Sequence, residues 1–171
     1  MNQPATFTAP ATFTAPATSA APATSAAPAT SAAPDTCSVA TYGATLLRLS
    51  LGVMWIAHAL LKWFVFTLPG TVQYFDSIGL PGFLAYVVFA VELAGGVALV
   101  LGFYARQIAL ALVPIMAVAA WVHLPNGWVH TSAGGGWEYP VFLFVSSLLL
   151  WLAGDGTWAL RRSARLAPAA R

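Results

Sequence analysis

Four apolar stretches of near membrane-spanning length set the limits on what this chain can fold into. They are "ATLLRLSLGVMWIAHALLKWFVF" at 44–66, "FLAYVVFAVELAGGVALVLGFY" at 83–104, "IALALVPIMAVAAWVHL" at 108–124 and "EYPVFLFVSSLLLWLA" at 138–153. About 20 residues of helix cross the ~30 Å hydrocarbon core, so the last is the shortest candidate. In lipid every backbone polar group must be satisfied within the segment, which makes each stretch a helix. The sequence therefore predicts an all-α membrane protein, a bundle of four transmembrane helices. Composition agrees: 59% of residues are hydrophobic and 7% charged, against roughly 25% charged in soluble domains. A formal charge of +2, scattered along the chain, gives no nucleic-acid footprint. Cys37 is the one cysteine, so the chain alone carries no disulfide framework, CxxC redox pair or thiolate metal site.

Between the spans, "TLPGTVQYFDSIGLPG" reads as a loop broken by prolines and glycines, and "ARQ" as a tight turn. "PNGWVHTSAGGGW" is a second long loop, and Gly154, Asp155 and Gly156 stop the fourth span. Ahead of the spans, proline recurs at positions 4, 10, 16, 22, 28 and 34 in a six-residue beat of Ala, Thr and Ser. Such a segment cannot bury enough apolar surface to offset chain entropy, so residues 1–43 are expected to form a disordered tail. With no basic start and no apolar core before residue 44, the first span is expected to act as an uncleaved anchor. Residues 159–171 form a basic tail after a membrane domain at 44–158.

Basic residues set the orientation. Arg48, Arg106, Arg161, Arg162, Arg165 and Arg171 fall at one face of a four-span protein, and Lys62 alone lies elsewhere. By the positive-inside rule that face is cytoplasmic, giving an N-in, C-in topology in the bacterial cytoplasmic (inner) membrane with both termini cytoplasmic. Aromatics agree, with Trp63, Tyr74, Tyr86, Trp121, Trp128, Trp137 and Tyr139 toward the outer boundary and Tyr104, Trp151 and Trp158 toward the inner one.

The informative residues are the ionisable ones at depth: His58, Lys62, Glu92, His123 and Glu138. A lipid-facing charge at mid-bilayer costs at least about 2.5–3.5 kcal/mol, which favours inward orientation and mutual pairing. His58 and Lys62 are four residues apart and share a helix face with Leu51 and Trp55. Glu92 is followed by Gly95 and Gly96, where small residues let helices approach closely, so Glu92 is expected to pair with His58 or Lys62. Two plainer readings stand beside this one: a cluster that only holds the helices in register, and a Lys62 stem that stretches to the outer headgroups. Arg48 is expected at the inner headgroups, His130 in a loop, and Asp76 and Asp155 in solvent. Axial haem ligation by His58 and His123 fits poorly because the two differ in depth, and no HExxH or ExxH metal spacing occurs.

"LLRLSLGVMWIAHALLKWF" at 46–64, "GLPGFLAYVVFAVELAGGVALVLGFYAR" at 79–106, "VHLPNGW" at 122–128 and "GGWEYP" at 135–140 together resemble the DoxX family of small bacterial integral membrane proteins. The resemblance covers about residues 45–158, and the matching polar positions are Arg48, His58, Lys62, Glu92, His123, Asn126 and Glu138. It implies a four-span bundle in the cytoplasmic membrane and work as a partner in membrane redox complexes, without catalytic assignments.

Three functions are consistent with the sequence. The first is a subunit or partner of a quinone-linked redox complex, itself not necessarily catalytic, in which His58 or Lys62 donates to a quinone and Glu92, His123 and Glu138 relay protons. Quinone would be its non-covalent cofactor, and electrons would come from a soluble or membrane partner protein. The second is a membrane anchor or assembly protein for a soluble enzyme. The third is a small proton-coupled transporter or channel, which in four short spans calls for a homo-oligomer.

Overall fold

The computed structural model describes residues 36–164, with side chains from residue 39 onward. Most of the repetitive tail and the end of the basic tail, 165–171, lie outside the described residues. The described chain is all-helical: α1 (Thr36–Phe64), α2 (Leu68–Ser77), α3 (Leu84–Leu101), α4 (Ala105–His123) and α5 (Glu138–Ala153), with a single 3-10 turn at Leu124–Asn126. Among the described residues the sole β feature is an isolated bridge between Phe103 and Arg161.

Two elements depart from the sequence expectation. Helix α1 begins at Thr36, so residues 36–43, read as tail, are its first turns. The proline beat ends at Pro34 and no further proline occurs before Pro69, which leaves nothing in that segment to break a helix. The stretch after the first span is likewise a helix, α2, rather than an open loop. Its prolines and glycines sit where they start and stop a helix instead of interrupting one. Pro69 occupies the first turn, where its missing N–H goes unneeded. The Thr67 hydroxyl caps the Gly70 N–H at 3.1 Å. Gly79, with φ +80°, follows the last turn.

Three helices are long and apolar enough to cross a membrane: α1, α3 and α4. Helix α5 is apolar but has 16 residues, about 24 Å at 1.5 Å rise per residue. α1 packs mainly on α3, and α4 mainly on α5. The core joining them is built from Leu51, Trp55, Leu99, Ala109, Leu112, Met116, Leu143 and Leu150. Val53, Phe83, Val97, Phe142 and Leu149 point outward and are exposed, a pattern that a bilayer satisfies and water does not.

The α1–α3 contact is closest at two glycines. A Cβ on Gly96 would lie 2.9 Å from the Gly52 carbonyl oxygen and 2.8 Å from Ile56, and one on Gly52 would lie 3.0 Å from the Gly96 oxygen. The backbones thus meet directly, as small residues allow in membrane helices. Gly95 faces α4 instead, against Leu112.

The end of the chain described here folds back on the turn between α3 and α4. Leu160 and Arg161 N–H groups donate to the Leu101 and Gly102 carbonyls, and the Tyr104 N–H donates to Arg161. Arg48 is buried, at 1% exposure, rather than reaching the inner headgroups. Its guanidinium donates to the Leu99 carbonyl at 3.3 Å and the Thr157 carbonyl at 3.1 Å. An arginine near the start of a span ordinarily meets headgroups, whereas here the segment after α5 supplies Thr157 to it. Asp155 is also buried rather than solvated. It accepts from the Arg106 N–H at the start of α4 and from the N–H and hydroxyl of Ser163.

Candidate functional site

Helix α1 carries Leu51, Trp55, His58 and Lys62 on one face, and the first two are buried against the core. That face continues into a cavity of about 1100 Å³, lined by parts of all five helices. Helices α3 and α4 meet at a tight turn at one end. Toward the other end their facing residues Leu84, Val88 and Glu92, and Ile115, Ala119 and His123, border the cavity. Helix α2 and its C-cap residue Ile78 contribute Thr71, Tyr74, Phe75 and Ile78 to the lining, the face repeating every three to four residues that an amphipathic helix presents. Its other side, Gln73, Asp76 and Ser77, is exposed. The lining is mostly apolar, with His58, Lys62, Glu92, His123 and His130 among its polar residues.

The centre of that group is an ion pair. Lys62 Nζ donates to Glu92 Oε2 at 2.7 Å and to Oε1 at 2.9 Å, so both carboxylate oxygens are engaged. The Lys62 side chain is 16% exposed and that of Glu92 3%. Lys62 therefore turns inward to α3 rather than stretching to the outer boundary. Such a charge-assisted contact in low dielectric is strong only while both partners are present.

His58 stands one turn before Lys62. Its Nδ1–H donates to the Met54 carbonyl at 2.8 Å. A carbonyl oxygen only accepts, so Nδ1 carries the hydrogen and the neutral ring keeps a bare Nε2. The ring stacks on Tyr139 at 5.7 Å between centroids and 17° between planes. The Tyr139 hydroxyl reaches Met54 Sδ at 3.4 Å. His58 is close enough to Glu92 for a charge on the ring to act on the carboxylate.

His123, the last residue of α4, lines the same cavity. Its Nδ1 accepts from the Asn126 amide at 3.3 Å. That amide also donates to the Gly134 and Gly135 carbonyls at 3.0 and 2.9 Å, tying the loop before α5 to the end of α4. Glu138 is placed apart from the Lys62 pair. It accepts from the His130 N–H at 2.8 Å and meets His130 Nδ1 at 2.6 Å, closing the loop before α5.

Of the residues singled out in sequence, the fold brings His58, Lys62 and Glu92 together and puts His123 on the same cavity wall. Glu138 is not brought to this group; its partner His130 borders the cavity. Two contributors escaped sequence reading. Tyr139 was assigned to the outer aromatic belt, yet its ring covers His58. Helix α2 was hidden in a stretch rich in helix breakers, and its signal was the Thr-x-Pro cap followed by apolar residues every three to four positions.

Comparison with known proteins completes the description. The family model for DoxX matches residues 43–124. A Bacillus subtilis (strain 168) protein named "Putative oxidoreductase CatD" is 37% identical over 118 residues, 69% of this chain and 84% of that protein. The Escherichia coli (strain K12) "Inner membrane protein YqjF" is 31% identical over 98 residues, 54% of this chain and 71% of that protein. No solved structure matches the chain.

Proposed function

The chain belongs to the DoxX family, and from that premise we propose that it is a subunit or partner of a membrane redox complex that binds quinone in the cavity beside Lys62 and Glu92. The observation that carries this reading is the form of the cavity: a large, mostly apolar volume whose lining holds the Lys62–Glu92 ion pair with His58 one turn away. A molecule with a polar head and an apolar body fits such a site, and a lipid-soluble quinone has both. Lys62 supplies hydrogens for a ring oxygen, and His58 and Glu92 are groups able to take up or give protons as the ring changes oxidation state. A relative named as an oxidoreductase supports redox work.

The chain crosses an inner membrane four times in this reading, α5 making the fourth crossing and both termini facing the cytoplasm. Arg48, Arg106 and Arg161 then share one face, and the cavity, whose lining includes Gly70, His130 and Gly134, lies toward the other. Electrons come from a partner protein, because the chain carries no thiol pair. His123, at the outer end of α4, and Glu138, joined through His130, extend a proton path away from Glu92.

Purification from native membranes in mild detergent, followed by solvent extraction and mass spectrometry, tests the proposal. Quinone in near-stoichiometric amount is expected with the intact protein and is expected to fall in Glu92→Gln. Quinone no higher than in the surrounding lipid extract rejects it and favours an anchor whose ion pair is purely structural.

A further inference from the structure

We infer that the cavity is built for the reduced form of its ligand, a quinol hydroxyl seated between His58 and Lys62; this rests on the quinone reading above. Two donors and acceptors decide the matter. The Met54 carbonyl takes the Nδ1 hydrogen of His58, so in the neutral ring Nε2 offers a lone pair and no hydrogen. Among the described residues no hydrogen bond reaches Nε2, and the ring borders the cavity. Lys62 offers the opposite. Its ammonium has three hydrogens, with contacts to the two Glu92 oxygens, which leaves one for a ligand.

His58 and Lys62 are one turn apart on α1 and look into the same space. Together they bring an acceptor and a donor to the lining of one cavity. A phenolic hydroxyl meets both at once, donating to His58 Nε2 and accepting from Lys62 Nζ. A quinone carbonyl accepts only, so it uses Lys62 and leaves Nε2 facing an oxygen lone pair. The stacking of Tyr139 on the other side of the imidazole holds the ring plane, so Nε2 keeps its aim when the ligand changes. Glu92 holds Lys62 Nζ at this level through both of its oxygens.

The test uses the full chain in lipid nanodiscs under anaerobic conditions. Calorimetric titration compares a decyl-substituted hydroquinone, the matching quinone, and the hydroquinone dimethyl ether. The hydroquinone is expected to bind roughly tenfold tighter than the quinone, the margin of one satisfied hydrogen bond and one relieved clash of lone pairs, and the ether weakest. His58→Phe keeps the stack on Tyr139 but removes the acceptor, and the ratio of hydroquinone to quinone affinity is expected to fall to about one. His58→Gln returns an acceptor near the same place and is expected to restore part of the preference, which separates loss of the acceptor from loss of fold. Equal affinity for hydroquinone and quinone, or a preference unchanged in His58→Phe, overturns this inference and leaves quinone binding standing. No binding of any of the three overturns both.

Discussion

Replacing Glu92 by glutamine keeps the shape of the side chain and removes the charge to which Lys62 is paired. Breaking a buried ion pair by losing one partner costs about 3–5 kcal/mol, because the other charge is left without compensation. Here the two halves are unequal. The Lys62 side chain is 16% exposed and that of Glu92 3%, so a stranded ammonium can draw some water through the cavity and a stranded carboxylate almost none. Glutamine also keeps one acceptor for Nζ. Glu92→Gln is therefore expected to cost about 2–3 kcal/mol, and Lys62→Met about 4 kcal/mol. The double variant strands neither charge and is expected to cost about 3–4 kcal/mol, no more than Lys62→Met alone, a coupling of about 3 kcal/mol. The assay is reversible unfolding of the purified protein in mixed dodecylmaltoside and dodecyl sulfate micelles, followed by far-ultraviolet circular dichroism. Single losses that add in the double variant to within about 0.5 kcal/mol refute the reasoning.

Other features give shorter tests. Gly96→Val forces α1 and α3 apart at Gly52 and Ile56, and a loss of about 2–3 kcal/mol in the same unfolding assay is expected; a change under about 0.5 kcal/mol contradicts the close backbone contact. Arg48→Leu removes the donors to the Leu99 and Thr157 carbonyls, so the segment after α5 is expected to become cleavable by protease several-fold faster while the helices persist. In a Cys37→Ser background, a cysteine at exposed Gln73 is expected to react with an impermeant maleimide on intact cells, and one at exposed Ala164 only after permeabilisation. The opposite pattern inverts the orientation.

Much of the bundle was legible because the bilayer enforces it. Length and apolarity alone marked three spans and a shorter fourth, and the cost of charge in lipid pointed His58, Lys62 and Glu92 inward before any contact was known. The choice of Lys62 over His58 as partner to Glu92 was not legible. It follows from His58 satisfying its own Nδ1 on the Met54 carbonyl one turn back, a local bond that spacing does not reveal. Arg48 misled for a related reason. Near the start of a span an arginine ordinarily meets headgroups, but here the chain after α5 returns over the α3–α4 turn and supplies carbonyls to it. Asp155 likewise looked like a solvated stop signal and is held by Arg106 and Ser163. Helix α2 was lost because prolines and glycines were counted rather than located: Pro69 at a helix start favours the helix that the same residue would break farther in.

Photolabelling with an azido-quinone in membrane vesicles, with the labelled peptides mapped by mass spectrometry, bears most directly on the site. Labels are expected on the α1 segment holding His58 and Lys62 and on the facing segments of α3 and α4, with displacement by unmodified quinone. Labels confined to the outer, lipid-facing surface, such as Val53, Val97 or Phe142, with none displaced by competitor, contradict an internal quinone site.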